Sequence, residues 1–226
     1  MARKGTINPG RFARQETRRV EATKSLRKFF LIVCEGTKTE PNYFEGIKKD
    51  LPPNIVRVAD FKAAGTGKNT LSVIDEAERL LEQHKKSGST QPIDEVWVVF
   101  DRDSFPKQHI NAAITQALQI GMHCAWTNEA FELWYILHFQ LIEHAMSRSQ
   151  YQKVIERELT RCLGKPYKYQ KNSEAMFALL MQHGDIEQAI KRAERLAEPF
   201  GDRTDYADHN PRTEVHRLIK KLLQFK

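Results

Sequence analysis

The stretch Val96-Trp97-Val98-Val99-Phe100-Asp101-Arg102-Asp103 decides how the chain folds. Five β-branched or aromatic residues in a row suit a strand buried on both faces, as in a parallel sheet covered by helices. The run stops at two aspartates one residue apart, and on a strand such residues point to the same side. Two same-side carboxylates place negative charge at the carboxyl edge of a sheet, where open α/β sheets bind ligands. They repel each other unless a cation lies between them, and a divalent metal is the usual solution. The pair could equally cap the following helix or solvate a loop, and Asp-x-Asp alone leaves both readings open.

Working outward, Phe29 to Cys34 reads as another buried strand, with Glu35 and Gly36 at its end. Thr39 can cap a helix with Pro41 in its first turn, and that helix stops before Pro52-Pro53. A strand over Ile55–Phe61 follows, then a loop Ala64–Asn69. A helix over residues 70–86 is marked by Leu71, Ile74, Ala77 and Leu81. The third strand, 93–100, leads to a helix from Pro106 to about Gln119 and a short strand, Met122–Trp126. The order β-α-β-α-β-α-β predicts a parallel sheet flanked by helices. From Glu129 onward the pattern predicts helices only, near 129–146, 150–163, 173–183, 185–198 and 212–225. Asn210 and Pro211 look like the cap and first residue of the last one. The expected organisation is a basic arm over 1–28, an α/β core over 29–128 and an all-helical C-terminal extension over 129–226 packed on that core.

Charge is distributed unevenly. The 226-residue chain has a net charge of +7. Residues 1–28 hold nine Lys or Arg against Glu16 and Glu21, so the arm carries the whole excess. Such an arm, with Arg11, Arg14, Arg18 and Arg19, is a common way to gain phosphate contacts, though a solubilising tail has the same composition. The basic N-terminus has no apolar segment behind it and is not expected to be a secretory signal. No apolar run approaches bilayer length. Cys34, Cys124 and Cys162 are scattered and odd in number, which argues against a disulfide framework or structural zinc and for a reducing, cytoplasmic location.

If the first and third strands are neighbours, Glu35, Asp101 and Asp103 reach one crevice. Hard oxygen ligands of this kind suit Mg²⁺ or Mn²⁺ rather than zinc. Glu40 is a further candidate ligand, or else a charge at a helix start. Glu132 stands on a helix apolar nearly all round, so it is metal-bound, a proton-transfer group, or paired with an arginine such as Arg102. His138 reads more readily as a hydrogen-bonded core residue. Gly65-Thr66-Gly67-Lys68-Asn69 only hints at a P-loop: Lys62 stands at the first glycine position and Asn69 replaces Ser or Thr. ATP binding is therefore not expected, although Lys68 could touch phosphate. Trp97, Trp126 and Trp134 fall on core elements. Lys165-Pro166-Tyr167-Lys168-Tyr169-Gln170-Lys171 alternates cations with aromatics, a pattern that fits single-stranded RNA as well as an ordinary surface loop.

A strand ending in Glu-Gly followed later by one ending in Asp-x-Asp resembles the Toprim domain of topoisomerases, primases and the overcoming-lysogenization-defect nucleases. Longer strings are similar to the RloB family. They are Val33-Cys34-Glu35-Gly36-Thr37-Lys38-Thr39-Glu40-Pro41-Asn42-Tyr43-Phe44, Val99-Phe100-Asp101-Arg102-Asp103-Ser104-Phe105, Phe131-Glu132-Leu133-Trp134 through His138-Phe139, and Asn210-Pro211-Arg212-Thr213. Relatives typically carry Asn-Pro-Cys before Phe-Glu-Leu-Trp, whereas this chain has Asn128-Glu129-Ala130. The resemblance implies a Toprim-like fold and a metal-dependent nuclease of antiphage defence, with a partner ATPase from the same locus. On that reading Glu35, Asp101, Asp103 and Glu132 do the chemistry. Glu35, Asp101, Asp103 and Glu40 hold Mg²⁺ or Mn²⁺. Arg11, Arg14, Arg18, Arg19, Lys38, Lys68, Lys165, Lys168 and Lys171 meet the nucleic acid, with RNA, transfer RNA included, slightly favoured over DNA. The alternatives are a non-catalytic subunit that binds nucleic acid or a partner, and an enzyme acting on a small phosphorylated molecule.

Overall fold

In the computed structural model, which describes residues 28–60, 71–102 and 106–226, the two buried runs are adjacent strands. β1 (Phe30–Cys34) and β3 (Glu95–Asp101) are buried along their whole lengths, as unbroken apolar runs require. They pair in parallel from Phe30 opposite Glu95 to Cys34 opposite Val99. β2 (Val56–Asp60) lies on the other side of β1, and β4 (His123–Asn128) on the far side of β3, both parallel. The sheet order is β2-β1-β3-β4-β5.

Alternate strand residues feed two cores. Leu31, Val33, Val96, Val98 and Phe100 meet α2 (Leu71–Lys86) and α3 (Lys107–Gln119). Phe30, Ile32, Trp97, Val99 and Ala125 face the opposite way. That second core takes in α1 (Thr39–Lys49), α4 (Glu132–Leu137), α5 (Arg148–Leu163), α6 (Met176–His183), α7 (Ile186–Ala197) and α8 (Val215–Leu223). The helices of the second half, together with α1, thus supply the layer on this face of the sheet. Each large side chain buried there contributes about 1.5–3 kcal/mol. No helix of the described residues is long and apolar enough to cross a membrane.

Four details of the second half differ from the helix-only expectation. β5 (Arg212–Thr213) pairs antiparallel with Thr127 and Asn128 of β4, so α8 begins only at Val215. Pro211 follows a cis peptide and precedes that strand rather than opening the helix. The buried Thr127 and Thr213 hydroxyls lie 2.9 Å apart across the ladder, and Glu214 N–H reaches Trp126 O, which ties the segment to the sheet more firmly than helix propensity could. The helix expected over 129–146 is limited to α4. Its last carbonyls are taken by distant donors: Arg192 Nη1 to Leu137 O at 2.6 Å, and Asp185 N–H to His138 O at 3.0 Å. α5 starts earlier than expected, because the Gln150 side chain accepts from the Ser147 N–H and fixes the first turn.

Candidate active site

β1 hands the chain to β2 on one side, while β3 lies on its other side. The carboxyl ends of β1 and β3 therefore border the switch-point crevice where parallel sheets admit ligands. Glu35 directly follows β1, half-buried, with its N–H bonded to Val99 O at 2.9 Å. Asp101 is the last residue of β3 and is buried. Asp103, Lys68 and the arm residues Arg11, Arg14, Arg18 and Arg19 lie outside the described residues.

Two more carboxylates join Asp101. Glu40 is the second residue of α1 and is buried, packed so closely under the β1–α1 turn that a Cβ on Gly36 would collide with its carboxylate. Glu132 opens α4 and is 1% exposed. Burial pushes the Asp101 carboxyl well above the usual carboxylate range, and the charges of Glu40 and Glu132 push it further; Arg148 and the Phe131 N–H oppose this. Glu40 is raised too, first by burial and then by Glu132, against the pull of its own backbone N–H, Lys171 and Arg148.

The cation among these acids is Arg148, at the first position of α5. Its Nη2 donates to Asp101 Oδ2 at 2.9 Å, and its Nε stands 3.7 Å from Glu132 Oε2. The sequence suggested Arg102 as the partner of Glu132. Arg102 instead continues the β3 edge, its N–H bonded to Thr127 O. Nothing at residue 148 marks it, because its approach depends on the irregular path of residues 138–147. Asp101 Oδ1 is buried and accepts no hydrogen bond.

The Lys/Tyr segment over 165–171 also belongs here. Tyr169 donates its hydroxyl to Glu132 Oε1 at 3.2 Å, and its N–H reaches Glu156 Oε1 at 3.0 Å. Thr39 Oγ1 donates to Lys171 O at 3.0 Å, and Asn42 Nδ2 to Asn172 O at 3.2 Å. The segment is strapped to the start of α1, with the side chains of Lys165, Lys168 and Lys171 outward; Lys38 is exposed just ahead of α1. Tyr169 therefore serves the carboxylates rather than offering a free ring for stacking. Trp97, Trp126 and Trp134 are core residues as expected. His138 is buried with Nδ1 3.0 Å from Trp134 O, and burial lowers its pKa to about 4. It faces Tyr43 and Trp134 in the core.

The donors suit a hard divalent cation in kind: clustered carboxylate oxygens, mutual repulsion, and an Asp101 oxygen left without a partner. Among the described residues, however, no three His, Cys, Asp or Glu side chains are grouped to hold a metal ion. Arg148 occupies the other Asp101 oxygen.

Asn210–Thr213 builds a separate place beside β4. Arg212 is buried, with Nε 2.7 Å from Glu214 Oε1 and Nη1 2.8 Å from His209 Nδ1, and its guanidinium lies 5.4 Å from the Trp126 ring centre. Next to it is a cleft of about 250 Å³ lined by His123, Arg203, Tyr206, Glu214 and Arg217 among others. Every polar group named for Arg212 is a partner within the fold, so the motif's evident work is to lock β5 in place.

The model of the family described as RloB-like protein matches residues 30–222, most of the chain. No curated protein and no solved structure matches it.

Proposed function

The chain belongs to the RloB-like family, and we propose that it is a metal-dependent nuclease of Toprim type, an effector of antiphage defence that cleaves nucleic acid, RNA before DNA. One observation carries this reading. Buried Glu40, Asp101 and Glu132 lie near enough at the switch point for their charges to act on one another, and one Asp101 oxygen has no partner. Folding expends stability to hold these acids together, and such expense is typical of functional sites. Asp101, with Glu35, Asp103 and Glu40, would hold Mg²⁺ or Mn²⁺. A bound ion would supply positive charge to the phosphate oxygens and lower the pKa of water.

The chain's own groups do the rest. Gly36 lets the backbone turn against Glu40 without a side chain in the way. Tyr169 fixes Glu132, which with Glu35 is the group to move a proton. Lys38, Lys165, Lys168 and Lys171 offer the outer face to a polyanion, and the arm adds further phosphate contacts. A partner ATPase belongs to the same proposal through the family resemblance alone.

The test is a cleavage assay on total RNA, transfer RNA, single-stranded DNA and duplex DNA, in Mg²⁺, Mn²⁺ or EDTA, with Asp101→Asn as control. Metal-dependent products that vanish in the variant are expected. The pairing of Asp101 with Arg148 favours a second reading, a non-catalytic subunit that binds nucleic acid or a partner. Such a protein would bind RNA in EDTA with steep salt dependence, yield no products and take up no Mn²⁺.

A further inference from the structure

We infer that Arg148 is the resident counter-ion of the carboxylate site and that it leaves Asp101 when a divalent cation binds, so that guanidinium and metal occupy the site alternately. This inference rests on the metal-dependent reading above. Arg148 touches two of the three buried acids, at 2.9 Å and 3.7 Å, and so links α5 to the end of β3 and to the start of α4. Its position also runs against local preference. It is the first residue of a 16-residue helix, where the helix dipole disfavours a cation. The carboxylates therefore hold it there.

Without a cation, Asp101, Glu40 and Glu132 would face one another in a site shielded from water, which is costly. A divalent ion supplies the same neutralisation. It also satisfies Asp101 Oδ1, which the arginine leaves unpaired. The exchange needs no backbone motion, because the Gln150 side chain holds the first turn of α5 through the Ser147 N–H and hydroxyl. Only the long arginine side chain has to swing, and it is already a quarter exposed.

The experiment is calorimetric titration of Mn²⁺ into the full-length wild type, Arg148→Gln and Arg148→Lys. Arg148→Gln should bind Mn²⁺ at least about tenfold more tightly, since a competing charge a few ångströms away is gone. It should also melt at a lower temperature than wild type in EDTA and regain more on adding Mn²⁺. Arg148→Lys keeps the charge and should bind like wild type. If Arg148→Gln does not fold, the nitrogen-15 Nε–Hε signal of Arg148, identified by its loss in Arg148→Lys, reports instead. It should shift as Mg²⁺ saturates the wild type. Unchanged or weaker Mn²⁺ binding by Arg148→Gln, or an arginine signal that stays put at saturation, overturns the exchange but leaves the nuclease reading standing. No Mn²⁺ binding by any of the three overturns both.

Discussion

The two ends of β3 carry buried carboxylates with opposite fates. Glu95 opens the strand and Asp101 closes it, and they are 8% and 7% exposed. Glu95 accepts from Lys221 at 2.8 and 2.9 Å, from Lys28 at 3.0 Å and from Trp97 Nε1 at 3.1 Å. Burial raises its pKa, but these donors outweigh burial and the net shift is downward. Asp101 has one arginine, the Phe131 N–H, an unpartnered oxygen and two neighbouring acids, and its net shift is upward. Similar solvent exposure on one strand thus accompanies a satisfied structural anion and an unsatisfied one. Asp101 sits deeper among protein atoms and has fewer donors than Glu95, and both differences separate them.

The sharpest way to break this comparison is to neutralise each end in turn. Asp101→Asn should cut cleavage by about a thousandfold or more, as loss of several kcal/mol of transition-state stabilisation implies. Its melting temperature at neutral pH should equal or exceed that of wild type, because the fold disfavours the charge that is removed. Glu95→Gln should do the reverse. It should retain cleavage and lose about 1–3 kcal/mol of stability, the usual loss for hydrogen bonds to a charged group. For a chain of this size each kcal/mol is about 2–4 °C on a thermal melt. A Glu95→Gln variant as inactive as Asp101→Asn would dissolve the distinction.

Melting curves against pH sharpen it further. Because folding raises the Asp101 pKa, the folded chain holds that proton more tightly than the unfolded chain does. Its contribution is most favourable below the ordinary value of 3.8 and declines as pH rises above it. The lowered pKa of Glu95 gives a contribution present above 4.5 and lost as pH falls through the lower folded value. The stability difference between Asp101→Asn and wild type should therefore grow with rising pH, and that between Glu95→Gln and wild type should shrink in acid. The smallest effect expected is that of Gly36→Ala. The new methyl displaces the end of the Glu40 side chain at about 1 kcal/mol, while metal affinity falls by about tenfold as that carboxylate is moved from its place in the site. Calorimetry on that variant measures it.

Most of the sheet was legible because β1 and β3 are unbroken apolar runs, and their terminal Glu35 and Asp101 announced the crevice. Glu132 stood out as an acid within an apolar helix. Arg148 was not legible, since its approach to Asp101 spans 47 residues and depends on an irregular connection. The tie from Tyr169 to Glu132 was hidden for the same reason, inside a pattern that also suited RNA stacking. β5 escaped because two residues are too few to show alternation, and cross-strand pairing rather than local preference defines them.

The β4–β5 pairing has a consequence for how the molecule is made. Thr127 waits for a partner 86 positions further along the chain, so the sheet edge closes only after all the intervening helices have been made. Glu40, Asp101 and Glu132 all emerge before Arg148, and before Tyr169 and Lys171. A growing chain therefore carries the acids of the crevice ahead of the groups that balance them. Until residue 148 has been made, the arginine that pairs with Asp101 in the folded chain is missing, so this crevice is assembled from its negative side first.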